Sequence, residues 1–223
     1  MTRIRHVVFD IGNVLLPWHR DRPFRDMIAD PGERARFLAE ICSPDWHLGL
    51  DRGMPVDDAI AALAALHPER ADCIRAYKSR WLDMFEGADE AVVAILAELV
   101  RKGIDVTALS NFNQDLFALT VPAYPFLGWF RGATVSGTVR LVKPDPAIYA
   151  LHAQTFGLEP AATLFFDDSS PNVEAARAAG WNAELFTDAA AMRRDLARWG
   201  IETETAADRE EVTAGAASSA PVR

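Results

Sequence analysis

The stretch that most constrains this chain is HVVFDIGNVLL, residues 6–16. Val7, Val8 and Phe9 lead to Asp10, Gly12-Asn13 turn the chain, and a second apolar run follows at residues 14–16. Aspartate is poor strand material. A carboxylate at the tip of so apolar a run fits the carboxyl edge of an open α/β sheet, where such folds bind ligands. On this stretch alone two readings stand: a functional carboxylate, or a turn aspartate bonding its own backbone.

The rest of the chain decides between them. Residues 17–87 contain no convincing strand. Apolar residues recur at helical spacing around 24–42, and Val56, Ile60, Leu63 and Leu66 follow Pro55, which sits well as a first helical residue. A further helix is expected over 69–85, while residues 44–53, with Trp46 and His47 inside them, read as a loop. From Gly87 an α/β rhythm resumes. Helix is predicted over 89–102, 146–156, 171–180 and 188–198, and strand over 104–109, 133–135, 163–166 and 182–186. Strands alternating with helices imply a parallel sheet covered on both faces, a Rossmann-like α/β core. The expected division is therefore residues 1–16 and 88–200 as core, 17–87 as an inserted helical cap, and 203–223 as a disordered tail. That tail is rich in Ala, Thr, Glu and Ser and has no aromatic residue to bury.

Three predicted strands end in polar residues: Asp10, Ser110-Asn111 and Asp167-Asp168. In a parallel sheet those ends share one edge, so the residues should converge. Ionised carboxylates from separate strands cannot crowd a small site without a cation between them. Oxygen ligands select a hard divalent ion, Mg²⁺ with retained waters in first place. Lys143 adds a cationic donor, and an aspartate beside a metal can attack a phosphoryl group. Ser110-Asn111 could equally cap the next helix.

Composition excludes some partners. With 23 basic and 32 acidic residues among 223, the formal charge is −9, which argues against a nucleic-acid footprint. No apolar run is long enough for a membrane span, and none near the N-terminus resembles a signal sequence. Cys42 and Cys73 lack metal-ligand spacing and read as reduced thiols. A cytoplasmic protein acting on a small molecule is the expectation.

Four motifs in order, FDIGNV (9–14), LSN (109–111), KPDPAIY (143–149) and FFDDSSPNVEAARAAG (165–180), make the chain resemble the haloacid dehalogenase superfamily. The resemblance covers residues 4–190. In its details the chain is similar to the bacterial glucose-1-phosphate phosphatase branch and to the phosphatase half of soluble epoxide hydrolases. The likeness implies an Mg²⁺-dependent phosphatase of a small phosphorylated metabolite, working through an aspartyl-phosphate. It implies Asp10 as nucleophile and metal ligand, Asp168 as second carboxylate ligand, and the Gly12 carbonyl as a third. Ser110 and Asn111 would hold the phosphate, and Lys143 would neutralise it. Asp167 and Asn172 would stand behind the metal.

Two departures from the family pattern matter. Most phosphatases of the superfamily carry a proton-donating aspartate at the position of Gly12, and a glycine cannot supply one. General acid catalysis is worth about 10²–10⁴ in rate, so the proton must come from elsewhere or the leaving group must be a good one. His19 and Asp21 are the candidates the sequence offers. Arg140 stands where relatives often have glycine. Two other functions stay open: a metal-free 2-haloacid dehalogenase, which Gly12 permits but Asp167-Asp168 oppose, and a catalytically weakened binding protein, which the retained Asp10, Lys143 and Asp168 oppose.

Overall fold

The computed structural model describes residues 2–203, so the tail expected to be disordered lies outside the described residues apart from its first position. Five parallel strands form one sheet: β1 (His6–Phe9), β2 (Asp105–Ser110), β3 (Ala133–Val135), β4 (Thr163–Asp167) and β5 (Asn182–Leu185). Their order is β3-β2-β1-β4-β5, which places β1 at the centre. Ten α-helices accompany them: α1 (Pro31–Arg36), α2 (Pro44–Asp51), α3 (Val56–Leu66), α4 (Ala71–Ser79), α5 (Glu90–Arg101), α6 (Gln114–Thr120), α7 (Ser136–Val139), α8 (Pro146–Phe156), α9 (Ser170–Ala178) and α10 (Ala189–Arg198).

The apolar runs behave as central strands must. Val7, Val8 and Phe9 are fully buried, because alternate side chains point to opposite, covered faces. Val7, Phe9, Leu164 and Phe166 join one cluster with Val92, Leu96 and Leu99 of α5 and with Met192 and Leu196 of α10. Val8, Leu109 and Phe165 face the other way, against Ile148 and Tyr149 of α8 and Val173 of α9.

Register then does the work of assembly. Phe9 pairs with Ala108 on one side and Phe166 on the other. One residue further on, Asp10 is therefore level with Leu109 and Asp167, with Ser110 just beyond.

Between β1 and α5 the chain is helical, as its periodicity predicts, with two revisions. Residues 44–51, expected as loop, form helix α2. The Ser43 hydroxyl accepts the Trp46 N–H at 3.1 Å and Pro44 occupies the first turn, a start signal that outweighs the glycine and polar residues behind it. The single helix expected over 69–85 is split into α4 and a 3₁₀ turn, Trp81–Met84.

This helical segment is bound firmly to the sheet domain. Asn113 caps α6 through its Oδ1, and its Nδ2 donates to the carbonyls of Leu50 (3.0 Å) and Met54 (2.9 Å). The helix after Ser110-Asn111 is thus capped by Asn113. The Ser136 hydroxyl donates to Asp51 O at 2.7 Å. Gly53 makes the closest approach: with φ +94°, a Cβ there would lie 2.5 Å from Gly137 O.

Arg140 has φ 58°, the left-handed conformation that glycine adopts without strain. That accounts for the glycine common at this position in relatives, and the exposed Arg140 side chain runs past Gly53.

Candidate active site

Asp10 continues the strand ladder by one bond, its N–H donating to Phe166 O at 2.9 Å, and its side chain is then fixed by three donors. Oδ1 accepts from the Ile11 N–H and from the Ser110 hydroxyl, each at 2.7 Å. Oδ2 faces the Lys143 ammonium at 3.0 Å. Lys143 is itself buried and donates to Asp167 Oδ2 at 2.6 Å and Leu109 O at 2.9 Å. One ammonium with three protons thus serves two carboxylates and a carbonyl.

Asn111 works one step back. Its Nδ2 donates to Lys143 O at 2.9 Å while its Oδ1 accepts the Lys143 N–H at 2.7 Å, a two-way clamp on the segment that delivers the lysine. Asp167 is saturated. Its Oδ1 accepts from the Ser169 N–H (2.9 Å) and Asn172 Nδ2 (3.0 Å), and its Oδ2 takes the lysine. Asp168 is exposed, and its Oδ2 accepts from Asn13 Nδ2 at 3.0 Å. Asn13 has the left-handed φ of 56° that asparagine tolerates, and its Oδ1 takes the Trp18 N–H at 3.0 Å.

The residues expected at the sheet edge are therefore together. Carboxylate oxygens of Asp10, Asp167 and Asp168 lie within 4.8 Å of one another, an oxygen-only donor set that suits a hard divalent cation. Burial pushes the Asp10 pKa up to about 7; the Asp167 charge adds to this, while Lys143 and Ser110 oppose it. Burial alone would lower the Lys143 pKa, but Asp10 and Asp167 outweigh it and hold it above its ordinary value.

His19 and Asp21 are not brought to this cluster. His19 Nε2 turns to Glu86 at 3.7 Å, and Asp21 is tied to Arg25 at 2.9 Å and Arg34 at 3.6 Å, a pairing that lowers its pKa.

Next to this cluster in the chain, Gly12, Asn111 and Phe112 from the core and Trp18, His47, Asp51, Trp81 and Phe85 from the helical segment line a small cavity. Its walls are largely aromatic, and none of these residues is a lysine or arginine. Asp51, the last residue of α2, had no signal in the sequence beyond its charge. Here it is 7% exposed, with its Oδ1 lacking any hydrogen-bond partner. Burial pushes its pKa up to about 7, with the Asp10 charge contributing. His47 Nε2 is 3.6 Å from its Oδ2. Burial lowers the His47 pKa to about 3, so the ring is neutral, and its Nδ1 lies 2.8 Å from the Tyr77 hydroxyl.

Comparison with known proteins agrees with this geometry. Residues 4–180 match the family model of haloacid dehalogenase-like hydrolases. Over 207 residues the chain is 25% identical to the sesquiterpene phosphatase astK of Aspergillus oryzae, covering 87% of this chain and 96% of that one. It is 26% identical over 190 residues to the fructose-1-phosphate phosphatase YqaB of Escherichia coli, covering 81% and 95%. The fold is similar to that of the HAD family enzyme bt-2542 of Bacteroides thetaiotaomicron, solved in complex with magnesium and inorganic phosphate. That likeness has a TM-score of 0.69 at 19% identity, over 83% of this chain and 95% of that one. With the family model spanning most of its length and its strand-end carboxylates gathered on one lysine, the chain belongs to the haloacid dehalogenase-like hydrolases.

Proposed function

We propose that this hydrolase is an Mg²⁺-dependent phosphatase of small phosphate monoesters, acting through an aspartyl-phosphate on Asp10. The observation that carries the reading is a buried carboxylate held by Ser110, Ile11 and Lys143, two residues before Gly12, which lines a cavity. Residues 17–87 act as a cap that supplies the upper wall of that cavity.

Asp167 has both oxygens engaged by Lys143, Ser169 and Asn172, so the metal falls to Asp10, Asp168 and the Gly12 carbonyl. Asp167 and Asn172 then position Lys143 and the loop after β4. A bound Mg²⁺ would offset charge on the phosphoryl oxygens.

The other steps use the chain's own groups. Asp10 attacks phosphorus, the bond to the leaving oxygen breaks, and Ser110 and Lys143 stabilise the charge on the transferring group. Water then hydrolyses the aspartyl-phosphate and regenerates Asp10. The Asn111 side chain serves by clamping Lys143.

The cavity also selects. The cavity is small, its walls are aromatic, and its lining holds no lysine or arginine. A compact, uncharged leaving group with an apolar face fits, a sugar ring included. A leaving group with its own carboxylate or second phosphate finds no lysine or arginine in that lining. Both relatives named above, by their names, act on a terpenoid or a sugar phosphate.

The test is phosphate release from p-nitrophenyl phosphate and a panel of sugar phosphates, with Mg²⁺ and with EDTA, using Asp10→Asn as control. Mg²⁺-dependent release that disappears in Asp10→Asn is expected. Folded protein releasing no phosphate from any ester would refute the reading.

A further inference from the structure

Gly12 stands where the resemblance expects a proton donor, and nothing steric requires the glycine: a Cβ there would meet no atom within 4 Å. The chemistry still needs a proton, since an alkoxide is a poor leaving group. The groups around the cavity narrow the source. His47 is neutral and its Nδ1 is taken by Tyr77, the tryptophans do not ionise, and His19 and Asp21 are engaged outside the lining. What remains is Asp51, which lines the same cavity as Gly12 and carries a buried, unpartnered carboxylate oxygen.

We propose that Asp51 is the general acid of this enzyme, donating the proton to the leaving-group oxygen that Gly12 cannot. The inference rests on the phosphatase reading above and extends it to a named catalytic residue on the helical segment.

The surroundings suit that task. Asp51 is held by its backbone, whose carbonyl accepts from Ser136 in the core, so its side chain is left without a structural bond except the long approach to His47. His47 Nδ1 lies 2.8 Å from the Tyr77 hydroxyl, and its Nε2 stands 3.6 Å from Asp51 Oδ2, beyond hydrogen-bond distance. Oδ1 has no hydrogen-bond partner. Burial first, and then the Asp10 charge, push the Asp51 pKa up to about 7, while Lys143 and Arg20 oppose the rise.

The step balances. As Asp10 forms its bond to phosphorus and the ester P–O bond breaks, the Asp51 proton passes to the departing oxygen, which leaves as the alcohol. Asp51, now a carboxylate, takes a proton from the water that attacks the aspartyl-phosphate, and phosphate departs with Asp10 and Asp51 both restored.

The test compares two aromatic esters of similar shape: p-nitrophenyl phosphate, whose leaving group needs no proton, and benzyl phosphate, whose leaving group does. The value of kcat/KM reports the first chemical step alone. Asp51→Asn is expected to lower it for benzyl phosphate by roughly 10²–10⁴ and for p-nitrophenyl phosphate by less than about tenfold. Asp51→Glu should recover part of the benzyl activity. Equal losses on the two esters would overturn the proposal, because a merely structural role spares neither. Wild-type protein gives a second check that needs no folded variant: kcat/KM for benzyl phosphate more than about 10⁴ below that for p-nitrophenyl phosphate would mean that no acid operates. Wild type releasing phosphate from neither ester, with Mg²⁺ present, would instead sink the phosphatase reading and this inference with it.

Discussion

Replacing Lys143 by methionine isolates the interaction on which the whole site is built. The side chain is 3% exposed, and its ammonium lies 3.0 Å from Asp10, 2.6 Å from Asp167 and 2.9 Å from Leu109 O. Methionine matches the stem and removes the charge, which leaves two carboxylates facing each other with no cation. Breaking a buried pair in this way costs about 3–5 kcal/mol, and here one ammonium is lost to two acids, so the upper half of that range is expected at neutral pH. The sign of the pH dependence follows. Without the lysine the folded-state pKa of Asp10, already raised by burial, rises further above the unfolded value, so the folded state binds more protons than the unfolded one. The contribution of this carboxylate is then fully present below about pH 4 and is lost as pH rises through its folded-state value, at up to about 1.4 kcal/mol per unit. Urea denaturation followed by circular dichroism, without Mg²⁺ and across pH 5 to 8, measures this. The gap between wild type and Lys143→Met should widen steadily with pH. A gap that is absent, or the same at every pH, would refute the idea that Lys143 is the counter-charge to both acids.

Two further outcomes follow from the same coordinates. In metal-free wild type the Asp10 pKa of about 7 means that protons compete with a cation for this carboxylate, so Mg²⁺ should raise the Tm more at pH 8 than at pH 5. Differential scanning calorimetry checks this, and equal shifts would count against Asp10 as a ligand. Gly53→Ala puts a Cβ 2.5 Å from Gly137 O at φ +94°, which should destabilise the fold by about 2–5 kcal/mol and loosen the helical segment that carries Asp51. A urea midpoint like that of wild type would show that this approach is not tight in solution.

Much of the architecture was legible in the sequence because its causes are local. Val7, Val8 and Phe9, and then residues 163–166, announce buried strands by unbroken apolar runs, and the aspartates that end them stand out against that background. The alternation of strands with amphipathic helices then implies a parallel sheet, and parallelism alone brings the carboxylates to one edge. Local signals were overridden only where weak ones competed, as in α2, where Ser43 and Pro44 start a helix in a stretch otherwise rich in loop residues.

The chain read by itself determined the sheet, the side of it on which chemistry sits, and the identity of Asp10, Asp167, Asp168 and Lys143 as strand-edge charges. Only the tertiary structure decided that β1 lies between β2 and β4, that Lys143 bridges two acids, and that Asp51 lines the cavity with an unpaired oxygen. The reason is that charge and periodicity are properties of neighbouring residues. Burial and pairing depend on what distant segments bring to the same place, and Asp51 differs from any helix-end aspartate only through Trp18, Trp81 and Asp10, which lie some thirty to forty positions away in the chain.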